Sequence, residues 1–140
     1  MLPLRLVLDT NIIVSAALKP ESLQRTTLLL AMSKPARLYL SEPILAEYEE
    51  VLSREELGIR RGLRIQLIQL IRNAGHLVKP ARQIRIASDP DDDVFLECSD
   101  QARADYLITG NRKHFPGYWK CTKVISAREF VDLVAPHLIK

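Results

Sequence analysis

Residues 4 to 11 read LRLVLDTN, an apolar run interrupted only by Arg5 and followed at once by Asp9, Thr10 and Asn11. A short run of large and branched apolar residues suits a buried strand, and the polar triplet marks its end. Asp9 is therefore expected at the C-terminal end of a strand, with a helix following through Ile12 to Leu18. The same alternation continues outward. Ser22 to Ser33 reads as a second helix, Arg37 to Leu40 as a second strand, and Ser41-Glu42-Pro43 opens a third helix, with proline in the first turn where its missing N–H costs little. His76 to Val78, Asp105 to Thr109 and Lys123 to Ser126 are further short strands, separated by helical patterns. Strands alternating with helices predict an α/β fold with a mostly parallel sheet covered on both sides.

The helical segments carry clear faces. Ile44, Leu45, Tyr48, Val51 and Leu52 form one apolar stripe, with Glu47 on its border. Ser53-Arg54-Glu55-Glu56 has the form of a capping box and predicts a new helix start. Leu63, Leu67, Leu70, Ile71 and Ala74 give a second stripe ending at Gly75, with Gly58 and Gly62 as dividers. Val94, Phe95, Cys98 and Ala102 form a helix after an aspartate run, and Ser126-Ala127-Arg128-Glu129 is a second capping box opening a last helix.

The chain of 140 residues is 47% hydrophobic, with no repeat or linker, so residues 1–140 are expected to form one domain. No stretch approaches the ~18 to 20 apolar residues of a membrane span, and the apolar run before Asp9 is too short for a secretory signal. A cytoplasmic location follows as the expectation. Two cysteines, Cys98 and Cys121, lack metal-ligand spacing and are expected to be reduced thiols. His76, His114 and His137 are scattered without such spacing, although His114 follows Asn111 closely. The net charge of +3 is unevenly spread: from Leu57 to Ala87 there are seven Arg or Lys residues, among them Arg60, Arg61 and Arg64, and no acid. That stretch suits either a solvated helix face or contact with a polyanion.

Negative charge concentrates instead in SDPDDD, residues 88 to 93. Asp89 can cap a helix, Pro90 suits its first position, and acids in the first turn favour the helix dipole by ~0.3 to 1 kcal/mol each. One cap and one or two acids satisfy that need. Four repel one another and call for a neutralising Arg or Lys or a divalent cation. Asp9 is either a helix cap or an acid that burial makes costly unless it is paired or coordinated. If Asp9, Glu47 and Asp93 converge, they offer only hard oxygen donors. Such a set selects Mg²⁺ or Mn²⁺ over zinc and suits phosphodiester hydrolysis.

With these residues in place, the chain resembles the PIN domain family, in particular the toxin components of toxin–antitoxin systems (VapC-like). LVLDTNIIVSAAL resembles the family's first motif, LSEPILAEYEEVL the second, SDPDDDVFLECSDQARADYLITGN the third and fourth run together, and VISAREFVDLV the closing strand and helix. The resemblance implies a three-layer α/β/α sandwich and a metal-dependent ribonuclease. It implies Asp9, Glu47 and Asp93 as ligands of Mg²⁺ or Mn²⁺, with Asp91 or Asp92 as substitutes for Asp93, and Asn11 and Thr109 as residues that position a carboxylate or water. It further implies an RNA substrate, a homodimer and a small antitoxin protein as partner. Arg112 and Lys113 are candidate phosphate contacts beside the site.

One position departs from the pattern. Where the family has Thr-x-Asp, this chain has Thr109-Gly110-Asn111, so the fourth acid is an amide that can coordinate but adds no charge. Asn111 sustains an alternative, a PIN-like domain that binds RNA or protein with weakened catalysis. A phosphotransferase that needs a second aspartate two residues after the first is disfavoured by Asn11. A receiver-type signalling domain is disfavoured because no acidic pair adjoins the first strand. Tyr118 and Trp119 suit either base stacking or packing.

Overall fold

The computed structural model describes residues 3–138 except Ser88, so the first residue of the SDPDDD run lies outside the described residues. Strand β1 (Arg5–Leu8) is the centre of the sheet, and Leu6, Val7 and Leu8 are fully buried. A strand covered on both faces has no use for polar alternation, which is why the sequence shows a continuous apolar run. Helix α1 (Thr10–Leu18) follows directly, then α2 (Leu23–Ala31), with Ser22 accepting a hydrogen bond from the Arg25 amide as its cap. Strand β2 (Arg37–Leu40) pairs parallel to β1, with Leu6 opposite Leu38. Helix α3 (Glu42–Leu52), helix α4 (Arg61–Ala74) and the edge strand β3 (His76–Leu77) complete the first half.

The chain then crosses to the other side of β1. Helix α5 (Asp93–Ala102) leads into β4 (Tyr106–Ile108), which pairs parallel to β1 with Val7 opposite Leu107. A short edge strand β5 (Tyr118–Trp119) runs antiparallel to β6 (Thr122–Ile125), and α6 (Ala127–Val134) closes the fold. The order β3-β2-β1-β4-β6-β5 gives a mixed, mostly parallel sheet, the α/β/α arrangement expected from the sequence. Helix α5 lies against β1, β2 and β4, while α1 packs on α2 and α3. Tyr48, Phe95 and Phe130 are the largest fully buried side chains. Because successive strands proceed outward from β1 in both directions, the order reverses between β1 and β4. The C-terminal ends of these two strands frame a crevice.

Local expectations are met unevenly. Ser126 and Glu129 form the reciprocal capping box at the start of α6. The box expected at Ser53 does not form: the Ser53 hydroxyl donates back to the Glu50 carbonyl at 2.7 Å, and only a single 3₁₀ turn, Glu55–Leu57, follows. That turn ends at Gly58, whose φ of 65° is in the left-handed region favoured by glycine. Gly75 ends α4 as expected, with a different reason for being glycine. A Cβ there would collide with Cδ1 of the fully buried Leu40. Both cysteines are free, and burial pushes the Cys98 thiol up to about 12. Among the described residues no helix is long and apolar enough to cross a membrane.

Candidate active site

The crevice between β1 and β4 is built from backbone that leaves its strands in register. The Asp9 amide donates to the Ile108 carbonyl at 2.9 Å, so the first residues after β1 and β4 are neighbours. Asp9 is only 5% exposed. Its Oδ1 accepts from the Thr10 amide at 2.8 Å and its Oδ2 from the Thr109 hydroxyl at 2.6 Å. Asp9 is thus the cap of α1 and also a buried acid at the crevice floor. The Thr109 hydroxyl accepts in turn from the Asn111 amide at 2.9 Å, so one threonine fixes both the carboxylate and the loop after β4. Asn11 holds the same loop from the other side, its Oδ1 accepting from the Gly110 amide at 3.0 Å.

Glu47 reaches the crevice from α3. The neighbouring Tyr48 is fully buried, and its hydroxyl donates to the Leu8 carbonyl, which ties α3 to the end of β1. Glu47 Oε2 accepts from the Thr10 hydroxyl at 3.1 Å. Asp9 and Glu47 therefore flank Thr10, one bonded to its amide and the other to its hydroxyl. Thr10 is a site residue that the DTN triplet contains, and this bridge to α3 is how it acts.

The aspartate run divides its labour. Asp89 caps a 3₁₀ turn, Pro90–Asp92, by accepting from the Asp91 amide at 3.0 Å, and α5 starts only at Asp93. Asp93 does not stand free in the crevice. It is 7% exposed and spends Oδ1 on the amides of Ile86 and Ala87, at 3.0 and 2.7 Å. Asp92 is the member of the run whose carboxyl feels Asp9, and its Oδ2 lies 3.2 Å from His114 Nδ1. His114, isolated in the sequence, joins the site because the turn Arg112–His114 follows β4 directly.

The electrostatics mark these acids as one group. Burial raises Asp9, and the hydrogen bonds from Thr109 and Thr10 partly offset this, while the Glu47 charge raises it further. Burial raises Glu47 too, with Glu50, Asp91 and Asp92 adding repulsion. Asp92 is pushed up to about 6, first by burial and then by the charges of Asp9 and Asp89, with His114 opposing. Mutual repulsion of this kind falls when a cation enters. The donors are oxygen atoms, which fit a hard, hydrated divalent ion. Among the described residues no three His, Cys, Asp or Glu side chains are grouped so as to hold a metal ion between them. A hydrated Mg²⁺ keeps several waters and is commonly held by only one or two carboxylates.

The basic candidates fall into two groups along the chain. Arg112 pairs through Nη1 with Glu129 at 2.7 Å while its side chain stays exposed, and Lys113 is exposed beside Asn111. Arg60 precedes α4, and Arg61 and Arg64 lie in its first turns, beside the helix that carries Glu47. Arg72 of the same helix pairs with Glu42 at 2.9 Å.

Comparison with known proteins agrees with this architecture. The PIN domain family profile matches residues 5–113. No curated protein matches the chain in sequence. Among solved structures, the chain is similar to VapBC2 from Rickettsia felis bound to a DNA fragment from their promoter. The TM-score is 0.59 at 16% identity, covering 87% of this chain and 98% of that one, a likeness of fold.

Proposed function

The chain belongs to the PIN domain family, and from that premise we propose that it is a Mg²⁺- or Mn²⁺-dependent endoribonuclease, the toxin of a toxin–antitoxin pair. One observation supports the proposal: Asp9 and Glu47 flank Thr10 at the strand-order reversal, and Asp9, Glu47 and Asp92 are each raised by burial and by the charge of neighbouring carboxylates. A surface that only bound phosphate would gain nothing from clustered acids beside it. Asp9, Glu47 and Asp92 would hold the ion, with Asp91 next to them. When bound, such an ion makes water a competent nucleophile and stabilises charge on a phosphoryl group. The protein supplies the rest. Thr109 and Thr10 orient the two carboxylates, Asn11 and Asn111 shape the rim, and Lys113 with Arg60, Arg61 and Arg64 receives backbone phosphates.

The antitoxin, the homodimer and the cytoplasmic location belong to the same proposal. The likeness to VapBC2 supports an antitoxin partner by analogy of fold. Leu63, Ile65 and Leu70, each about half exposed on α4, offer apolar surface to a partner chain. Asn111 favours a second reading, an RNA- or protein-binding domain of reduced activity. RNA cleavage with and without Mg²⁺ or Mn²⁺, in wild type and Glu47→Gln, separates the two. The nuclease cuts only with metal and loses cutting in the variant. Metal-independent RNA binding without cutting in either protein supports the binder.

A further inference from the structure

We infer that Asp93 is a positioning residue, a clasp that fixes the acidic loop against α5, and is not itself a metal ligand. The inference rests on the nuclease proposal only for the use to which the loop is put. Asp93 Oδ1 accepts from two amides, those of Ile86 and Ala87. Two donors occupy the two lone pairs of that oxygen, and both bonds are charge-assisted. One carboxylate oxygen thereby joins the start of α5 to the chain six and seven residues earlier. Asp89, Asp91 and Asp92 lie between the joined points.

The clasp is the first rung of a series. Glu97 Oε2 accepts from the Ile84 amide at 3.0 Å, and Gln101 Oε1 from the Ala81 amide at 3.2 Å. Positions 93, 97 and 101 recur every four residues, so they share one stripe of α5. Residues 81–87 contain no strand, and their amides have no sheet ladder to join. The helix side chains satisfy four of those donors, at Ala81, Ile84, Ile86 and Ala87, while Ile84, 4% exposed, anchors the segment in the core. The segment is thereby held along α5, and its end sets where the acidic loop begins. Asp92, one residue before the clasp, is then directed towards Asp9 and His114.

Asparagine keeps an oxygen that can accept from both amides, whereas at a carboxylate that ligates the ion the same change removes a negative charge and weakens binding. The test compares Asp93→Asn, Asp93→Ala and Asp92→Asn in the full chain by Mn²⁺ titration calorimetry. Hydrogen exchange of the Ile86 and Ala87 amides is followed without metal. Asp93→Asn is expected to leave Mn²⁺ affinity within about threefold and those amides protected, because only a charge outside the proposed ligand set is lost. Asp93→Ala is expected to speed their exchange and weaken Mn²⁺ binding, each by about tenfold or more. Asp92→Asn weakens Mn²⁺ binding and leaves the exchange unchanged. Asp93→Asn losing as much affinity as Asp92→Asn, or unprotected Ile86 and Ala87 amides in the wild type, overturns the clasp. Should Asp93→Ala not fold, Asp93→Asn and the wild-type exchange still decide it. No Mn²⁺ uptake by the wild type would defeat the nuclease proposal, and the exchange data would still judge the clasp.

Discussion

Replacing Asp92 by asparagine should stabilise the metal-free protein at neutral pH. The carboxyl is raised from 3.8 to about 6, first by burial and then by Asp9 and Asp89. An acid raised on folding is protonated more readily in the folded chain, so folding takes up protons between about pH 4 and 6. Below that window wild type and variant both carry a neutral group and should be equally stable. Above it the folded wild type holds an unfavourable charge that asparagine lacks. A displacement from 3.8 to about 6 corresponds to ~3 kcal/mol if unscreened. The side chain keeps 16% exposure, and the value of about 6 already includes the opposing effect of His114 at 3.2 Å. Solvent screening brings the expected gain to ~1 to 2 kcal/mol. Urea unfolding of both proteins without divalent ions, at steps from pH 4 to 8, reads this directly. The difference should open between pH 4 and 6 and stay constant above. A difference independent of pH, or a wild type that is the more stable at pH 7.5, would refute the idea that Asp92 shares a repulsive site with Asp9.

Three further outcomes follow from neighbouring contacts. Thr109→Val keeps the shape but removes the donor to buried Asp9 and the acceptor of the Asn111 amide; thermal unfolding should show a loss of ~1.5 to 3 kcal/mol. Gly75→Ala puts a Cβ against buried Leu40 and should cost ~1 to 3 kcal/mol by urea unfolding, with Mn²⁺ affinity unchanged. Asn111→Asp restores a carboxylate at the rim and should tighten Mn²⁺ binding severalfold by calorimetry; no gain would mean that position 111 does not face the ion.

The parts of the site legible in the sequence are those set by local pattern. Asp9 could be placed because the apolar run before it ends abruptly, and Glu47 because the helical period puts it beside Tyr48 on the edge of the buried face. The aspartate run resisted assignment for a physical reason. A 3₁₀ turn and an α-helix turn by different angles per residue, so which acid faces Asp9 depends on where Pro90–Asp92 gives way to α5. Periodicity carries no mark of that boundary. His114 and Arg112 were ambiguous because their partners, Asp92 and Glu129, lie 22 and 17 residues away. Edge strand β5 spans only Tyr118–Trp119, too short for any alternation to register.

The most direct test of the metal-dependent nuclease is calorimetric titration of Mn²⁺ into wild type and Asp9→Asn, with RNA cleavage followed in the same buffers. The proposal requires binding and cleavage in the wild type and the loss of both in Asp9→Asn. RNA cut equally by both proteins in the presence of a chelator, or Mn²⁺ bound equally by both, would contradict it.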